Sequence, residues 1–154
     1  GMLYENSDEP YCEELAKAIT NEIRRGNRID TTTKLRNVIE KTLDFLPNNK
    51  EKKDIIKKTC QRTFQALRID VNNEFEVLYE FMDKLPGALK PGGRVAILTF
   101  HSGEDKLVKK ALKAGYKEGI YSEYARDVVR PSAQECAQNG RARSTKMRWA
   151  VKAE

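Results

Sequence analysis

The sequence predicts an α/β fold in which a helical N-terminal region precedes a small three-stranded mixed sheet. Up to about Leu85, apolar residues recur every three or four positions, as amphipathic helices require. The stretch GGRVAILTF at 92–100 follows a proline and is a continuous apolar run, the pattern of a strand buried on both faces. Near the C-terminus, Met147, Trp149 and Val151 alternate with basic residues, which is the period of a half-buried strand.

The helical region contains at least three amphipathic stripes. They cover residues 11–23, 35–46 and 55–85. The first helix is expected to end at Gly26. The second is expected to begin at one of the capping residues 30–32 and to end at Pro47. The periodicity of the third stripe leaves open whether the helix bends at Asn72 and Asn73.

After Pro86 the pattern changes to strand, helix, strand, helix, strand. The expected strands are 94–100, 124–131 and 144–153, and the expected helices are 102–114 and 132–138. The first of these helices carries its apolar residues at helical spacing, whereas the last strand has a period of two.

Composition narrows the class of protein. The 154 residues fit one ordinary domain or part of a larger fold, and a balance of 39% hydrophobic and 34% charged residues is typical of globular proteins. The N-terminus lacks the features of a signal peptide, and no apolar run approaches the roughly 20 residues of a membrane span, so we expect a cytoplasmic location and no membrane partner. A formal net charge of +6 favours an anionic partner such as nucleic acid, although the basic run 50–58 also fits a solvated helix face.

The three cysteines do not form a recognisable framework. Cys12, Cys60 and Cys136 lie far apart without a Cys-x-x-Cys pair, which argues against a structural metal site and against a set of disulfides. We expect them to be reduced, buried thiols.

The end of the strand at 94–100 is the most informative position. In open α/β sheets, ligands bind beyond the carboxyl ends of the strands, where His101 and Ser102 lie. A structural explanation covers part of this stretch, since Ser102 can cap the next helix, Asp105 can complete a capping box and Glu104 complements the helix dipole. For His101, the one histidine, a structural hydrogen bond and a functional role remain equally open.

Three separated stretches together resemble one protein family. They are RTFQALRIDVNNE at 62–74, LKPGGRVAILTFHSGEDKLVKK at 89–110 and NGRARSTKMR at 139–148. They occur in the same order, and at nearly the same spacing, as similar stretches in the RsmH/MraW family. The members of that family are S-adenosylmethionine-dependent methyltransferases, which modify the N4 amino group of a cytosine in 16S ribosomal RNA. TTTKL at 31–35 and EELAKAI at 13–19 resemble the helical insertion of that family. The chain departs from the family pattern at Gly103, Lys106 and Gly140, where leucine, arginine and proline are usual, and it is shorter after Gly115.

The resemblance implies a domain organisation. Residues 3–70 would be the helical insertion-like region, and residues 71–154 the C-terminal part of a Rossmann-like class I methyltransferase domain. As in related methyltransferases, we expect the strand at 94–100 to run parallel to the strand around Val128, with the last strand antiparallel between them.

The resemblance also implies what is missing. The family carries a glycine-rich cofactor loop, an acidic ribose-binding residue and a methyl-transfer segment in its N-terminal half. The paired glycines of this chain, Gly92 and Gly93, precede a strand rather than a helix. We therefore expect no cofactor-binding residues and no tight binding of S-adenosylmethionine by this chain alone. The chain is either a split or truncated homologue or a piece of a longer protein.

By the same resemblance, the substrate is a cytosine taken out of its stack, and the protein positions it and removes a proton. His101 is the candidate catalytic residue. The candidate substrate- or RNA-binding residues are Arg62, Gln65, Arg68, His101, Ser102, Arg141, Arg143 and Lys146. Arginine suits phosphate because its planar fork binds two oxygens, although Arg62 and Arg68 also fit a solvated helix flank.

Two functions stay open at this point. The chain is an enzyme segment that needs an N-terminal half, or a non-catalytic RNA-binding or scaffold protein of the same descent. Its expected partner is 16S ribosomal RNA or the small ribosomal subunit.

The apolar strand at 94–100 would have an open edge in this chain, and such an edge is prone to pair with another chain. We expect the edge to be covered by the missing half, by a second copy of the chain or by the chain's own N-terminal helices.

Overall fold

The computed structural model describes residues 1–154. The chain divides into two compact units, Gly1–Asn72 and Asn73–Glu154. Assigning the first unit to a helical insertion and the second to a methyltransferase domain remains a prediction.

The first unit is entirely helical. Its helices are α1 (Met2–Ser7), α2 (Cys12–Arg24), α3 (Thr32–Thr42) and α4 (Lys50–Asn72). The stripes expected at 11–23 and 35–46 correspond to α2 and α3, and the expected cap is confirmed because the Thr31 hydroxyl accepts from the Lys34 N–H at 3.2 Å. Gly26 ends the α2 region with a φ of 83°, a conformation that favours glycine. Leu15, Ile39 and Leu43 are fully buried in the core of this unit.

A buried carboxylate lies inside the first unit. The side chain of Glu9 is fully buried, and it accepts from the Arg62 Nε–H at 2.6 Å and from the Tyr11 N–H at 3.1 Å. The Thr59 hydroxyl lies 3.4 Å from the same carboxylate. A buried charge requires a counter-charge and hydrogen bonds, so these contacts fix the turn before α2 against α4.

The long stripe at 55–85 forms two helices rather than one. α4 ends at Asn72, and α5 (Glu74–Ala88) follows. Asn73 between them has a φ of 50°, and asparagine is among the few non-glycine residues that adopt this left-handed conformation readily. The break is therefore a property of the Asn72–Asn73 pair, which periodicity alone did not reveal.

The second unit contains α5, a three-stranded sheet and two further helices. The later elements are β1 (Arg94–Thr99), α6 (Ser102–Lys117), β2 (Tyr121–Tyr124), α7 (Ala133–Gln138), a short 3₁₀ helix (Gly140–Ser144) and β3 (Lys146–Lys152). The strand order is β1-β3-β2, so the expected central place of the last strand is confirmed.

Two details of the predicted sheet are wrong. Both hydrogen-bonded pairs, β1 with β3 and β2 with β3, are antiparallel, so the sheet is not mixed. The relative directions are as expected, because the two outer strands run parallel to each other and β3 lies antiparallel between them. The second strand occupies Tyr121–Tyr124 instead of 124–131. Of the expected segment, Tyr124 pairs with Ala150 in β2, and Val129 forms an isolated bridge to Met147. The Arg148 guanidinium donates to the carbonyls of Ala125 and Arg126 at 3.5 and 3.3 Å. These hydrogen bonds hold the backbone directly after β2.

The two faces of the sheet differ. Val95, Ile97 and Ala150 pack with α5 and α6 in the core of this unit. By alternation, Leu98, Met147, Trp149 and Val151 lie on the opposite face, where Leu98 is 58% exposed. The expected burial of β1 on both faces is therefore wrong for this chain, because no helix of the second unit covers the second face.

The outer edge of β1 is open in the sheet, since β1 pairs with β3 alone. The predicted covering of this edge by a missing half, a second copy or the chain's own helices remains a prediction.

Two remaining expectations concern thiols and membranes. Cys12, Cys60 and Cys136 are half-buried rather than buried, and burial raises the pKa of the Cys60 thiol above its ordinary value. None of the helices combines the length and the apolar character needed to cross a bilayer.

Arg62→Ala is expected to destabilise the first unit by about 3 kcal/mol, because it leaves the buried Glu9 carboxylate without its counter-charge. Arg36→Ala is a matched control, since its Nε also bonds a glutamate, Glu40, at 2.8 Å but at an exposed site; it should cost about 0.5 kcal/mol. Amide hydrogen exchange along α4 measures the stability of both variants. Equal losses of stability would show that the buried pair contributes no more than the exposed one.

Candidate functional site

The candidate site begins where β1 ends. His101 has extended backbone angles, φ −143° and ψ 163°, and its Nδ1 accepts from the Glu104 N–H at 3.4 Å. His101 is thus the N-cap of α6, and the expectation that Ser102 caps this helix is wrong. Ser102 is the first helical residue and is exposed. Helical geometry already begins at Ser102, so the cap position, with its extended backbone, falls on the histidine.

Glu104 completes this cap, not Asp105. Its Oε2 accepts from the Phe100 N–H at 3.0 Å, and its Oε1 lies 3.5 Å from the His101 Nε2. This arrangement is a variant of the capping box, because the side chain at the third helical position accepts from Phe100, the residue before the N-cap. The carboxylate also lies near the positive end of the helix dipole, where a negative charge is stabilising.

An aromatic ring and a second carboxylate lie beside the histidine. The Phe75 ring meets the His101 ring edge to face, with centroids 5.9 Å apart. Gly103 makes this approach possible, because a Cβ at this position would lie 2.7 Å from the Phe75 Cζ. Glu74, His101 and Glu104 each place one potential ligand atom within 4.8 Å of the others, a spacing that one divalent cation could bridge. Both Glu104 oxygens and the His101 Nδ1 are, however, already engaged in the cap.

This geometry limits what His101 can do as it stands. A neutral imidazole has one nitrogen that accepts and one that carries the proton. Because Nδ1 accepts a backbone N–H, the proton of the neutral ring belongs on Nε2, on the side of Glu104. As a base, His101 would have to release its cap first. In this arrangement the ring orients the start of α6 and the polar groups around it.

A two-point ion pair of the second unit lies one residue further into α6. Asp105 binds Arg148 of β3 through two hydrogen bonds, Nε to Oδ1 at 2.7 Å and a terminal nitrogen to Oδ2 at 3.1 Å. The hydrogen bonds from Arg148 hold the pKa of the Asp105 carboxyl below its ordinary value, against an opposing effect of burial. The sequence does not reveal this pair, because its two members lie 43 residues apart. Alternation along β3 is as predicted, but Arg148 and Ala150, rather than Trp149, lie on the face that packs against α6.

The other predicted site residues are distributed over both units. Lys146 is opposite Thr99 in the β1–β3 register, so His101, Ser102 and Lys146 lie at the same end of the sheet. Arg141 and Arg143 are exposed on the 3₁₀ helix before β3, which the Asn139 side chain caps. Three residues lie on α4 in the first unit: the half-buried Arg62 and Gln65 and the exposed Arg68. Of these, Arg62 is bound to Glu9, so its Nε already has a structural partner.

The resemblance places the glycine-rich S-adenosylmethionine loop outside this chain, and the glycines around β1 have other roles. Gly92 has a φ of 71°, and a Cβ on Gly93 would lie 2.7 Å from the Lys90 carbonyl oxygen, so both serve the tight turn before β1. The turn from β1 into α6 holds one glycine, Gly103, and Phe75 fills the space beside it.

Asp105→Asn is expected to destabilise the second unit by about 3 kcal/mol at neutral pH, because Arg148 stays buried without its counter-charge. The lowered pKa of Asp105 contributes stability that is present above the unfolded carboxyl pKa of about 4 and is lost as the pH falls through the folded pKa. The stability of the variant should therefore fall less steeply with acid than that of the wild type.

Urea unfolding at several pH values, followed by the fluorescence of the single tryptophan Trp149, measures this difference. Asp83→Asn, an exposed position of α5 in the same unit, is the control and should leave the stability nearly unchanged. If the free energy of unfolding fell equally steeply with acid in wild type and Asp105→Asn, the stabilising role of the Asp105–Arg148 pair would be contradicted.

The isolated chain is expected to show no micromolar affinity for S-adenosylmethionine, because it offers no glycine-rich turn at a helix start. Isothermal titration calorimetry measures this, with a full-length relative as the positive control. Micromolar binding by the chain alone would contradict the expectation that this chain holds no S-adenosylmethionine site.

Comparison with known proteins identifies the family. The model of the MraW methylase family matches residues 1–153. The chain is 88% identical over 154 residues to "Ribosomal RNA small subunit methyltransferase H 1" of Agathobacter rectalis, covering all of this chain and 44% of that protein. It is 71% identical over 153 residues to the protein of the same name from Lachnoclostridium phytofermentans (99% of the chain, 42% of the relative). It is 35% identical over 168 residues to "Ribosomal RNA small subunit methyltransferase H" of Rickettsia prowazekii (98% and 52%).

The chain spans less than half the length of its two most similar relatives named above. A match over residues 1–153 leaves almost no part of the chain outside the family. The protein is a member of the MraW methylase family.

Proposed function

We propose that this chain is the C-terminal segment of an S-adenosylmethionine-dependent rRNA (cytosine-N4) methyltransferase, and that methyl transfer requires the part of the protein that the chain does not span. The observation that carries the proposal is the 88% identity to a ribosomal RNA small subunit methyltransferase over 44% of its length. In this proposal the segment handles the RNA substrate, and the cofactor is bound elsewhere in the protein.

The local chemistry of the second unit supports this division of roles. The glycines around β1 have other roles: Gly92 and Gly93 serve the tight turn before the strand, and Gly103 admits the Phe75 ring. Cationic side chains are instead well represented at the site end of the sheet, in Arg141, Arg143 and Lys146. Guanidinium groups on an exposed turn can bind phosphate oxygens in pairs, which is a typical contact to an RNA backbone.

The uncovered parts of the sheet support a docking role for the missing portion. The open edge of β1 offers unpaired backbone groups, and Leu98 and Phe100 are 58% and 55% exposed beside it. Soluble proteins rarely leave such an edge and apolar side chains together in water. We propose that the remaining part of the methyltransferase pairs with β1 and covers this face, in preference to a second copy of the chain.

The proposed roles of the site residues follow from their positions. Arg141, Arg143, Ser102 and Lys146 contact RNA, as do Gln65 and Arg68 on α4, whereas Arg62 serves mainly to neutralise Glu9. His101 positions the start of α6 next to the substrate and is a positioning residue rather than the base.

A chimaeric enzyme tests the proposal. The chain replaces the equivalent segment of the Agathobacter rectalis relative, and methylation of small-subunit rRNA fragments is measured for the chimaera and for the chain alone. We expect activity near that of the intact relative for the chimaera and none for the chain. An inactive, folded chimaera that still binds rRNA would instead favour the non-catalytic RNA-binding or scaffold function.

Two substitutions at His101 in the chimaera separate positioning from catalysis. Asparagine is a good N-cap, whereas alanine loses the cap at a cost of about 1 kcal/mol. We expect His101→Asn to retain most of the methylation rate and its pH dependence, and His101→Ala to lose both rate and α6 stability. A rate lost equally in both variants, with the stability of His101→Asn unchanged, would make His101 the catalytic base.

A further inference from the structure

The outer surface of α6 carries a row of lysines that no role described so far uses. Its members are Lys106, Lys109, Lys110, Lys113 and Lys117, all of them exposed. With about 100° of rotation per residue, they fall within an arc of about 100° on the helix, and with a rise of about 1.5 Å per residue they extend over about 16 Å. We call this surface the lysine row.

The lysine row is not neutralised. None of its lysines makes an ion pair, whereas exposed cations of α3 and α5, such as Arg36 and Lys84, pair with a glutamate four residues away. The acid nearest in helical position, Asp105, is four residues before Lys109, but both of its oxygens are bound by Arg148. Like charges at this spacing repel one another by a few tenths of a kcal/mol per pair, so the row is a local cost in the absence of an anion.

A sixth cation extends the row at its C-terminal end. The guanidinium carbon of Arg126 lies 5.9 Å from the ring centroids of both Tyr116 and Tyr124. The two rings are themselves 5.0 Å apart, so they hold this guanidinium in place on the surface beside the end of α6. Arg126 is exposed and makes no ion pair.

We propose that the lysine row and Arg126 bind the phosphate backbone of RNA. The inference rests on the proposed function, because it names a surface through which the RNA substrate is held. A linear array of unpaired cations without interspersed acids complements a linear polyanion. An anionic membrane fits less well, because the apolar side of α6, with Val108 and Leu112, is fully buried, and membrane-surface helices insert an exposed apolar side.

Charge neutralisation on two helices tests the proposal. The triple variant Lys109→Gln, Lys113→Gln, Lys117→Gln removes three charges from the row while keeping residues that favour helices. The matched control Lys53→Gln, Lys57→Gln, Lys58→Gln removes three exposed charges from α4, so both variants have the same net charge. Binding of a short fluorescein-labelled single strand of small-subunit rRNA is measured by anisotropy over a range of salt concentrations.

The α6 variant is expected to bind at least about tenfold more weakly than wild type at low salt, with the slope of log K against log salt reduced by about 2. The control should change neither quantity by a comparable amount. Equal weakening in both variants, or no RNA binding by wild type, would overturn the proposal. Co-sedimentation with phosphatidylserine-containing vesicles, reduced by the α6 variant while RNA binding is unaffected, would assign the row to membranes.

The same variant in the chimaera separates this inference from the proposed function. If the chimaera methylates rRNA and the α6 substitutions change neither RNA binding nor the methylation rate, the proposed role of the lysine row is wrong and the methyltransferase assignment stands. If the wild-type chimaera binds rRNA through the row but does not methylate it, the row stands and the enzymatic assignment fails.

Discussion

The second unit depends on one guanidinium group. Arg148 lies on the central strand and is only 5% exposed, and it joins three parts of the unit at once. It forms two bonds to Asp105 of α6, and its third nitrogen faces the carbonyls of Ala125 and Arg126 after β2. A buried charge tolerates little displacement because every lost bond exposes an uncompensated cation to apolar surroundings. This constraint fixes α6 relative to the sheet, and with α6 it fixes both His101 and the lysine row.

The features that the sequence predicted best are those in which one local signal decides the structure. The stripes of α2 and α3, the cap at Thr31 and the stop at Gly26 follow from residues within a few positions of one another. The central place of β3 followed from the family resemblance, which carries topology that periodicity does not contain.

The errors have a different origin, because they depend on partners distant in sequence. The alternation along β3 is real, but its buried side is set by Asp105, which lies 43 residues away, so Arg148 is inside and Trp149 is half-exposed. The cap of α6 lies one residue before the predicted Ser102, because the helix begins at Ser102 itself and His101 is the extended residue in front of it. Similarly, Arg62 looked like a solvated or RNA-facing side chain, since nothing near it in sequence reveals that Glu9 is buried 53 residues away.

Gly103 couples two helices in a way that limits how the family can vary. The space that a side chain at this position would need is taken by the Phe75 ring of α5, 2.7 Å from where a Cβ would lie. A leucine at 103 therefore requires a smaller or turned side chain at 75. Because the same ring supports His101, such an exchange also alters the orientation of the imidazole. Segments recombined between distant relatives should accordingly keep α5 and the start of α6 from one parent.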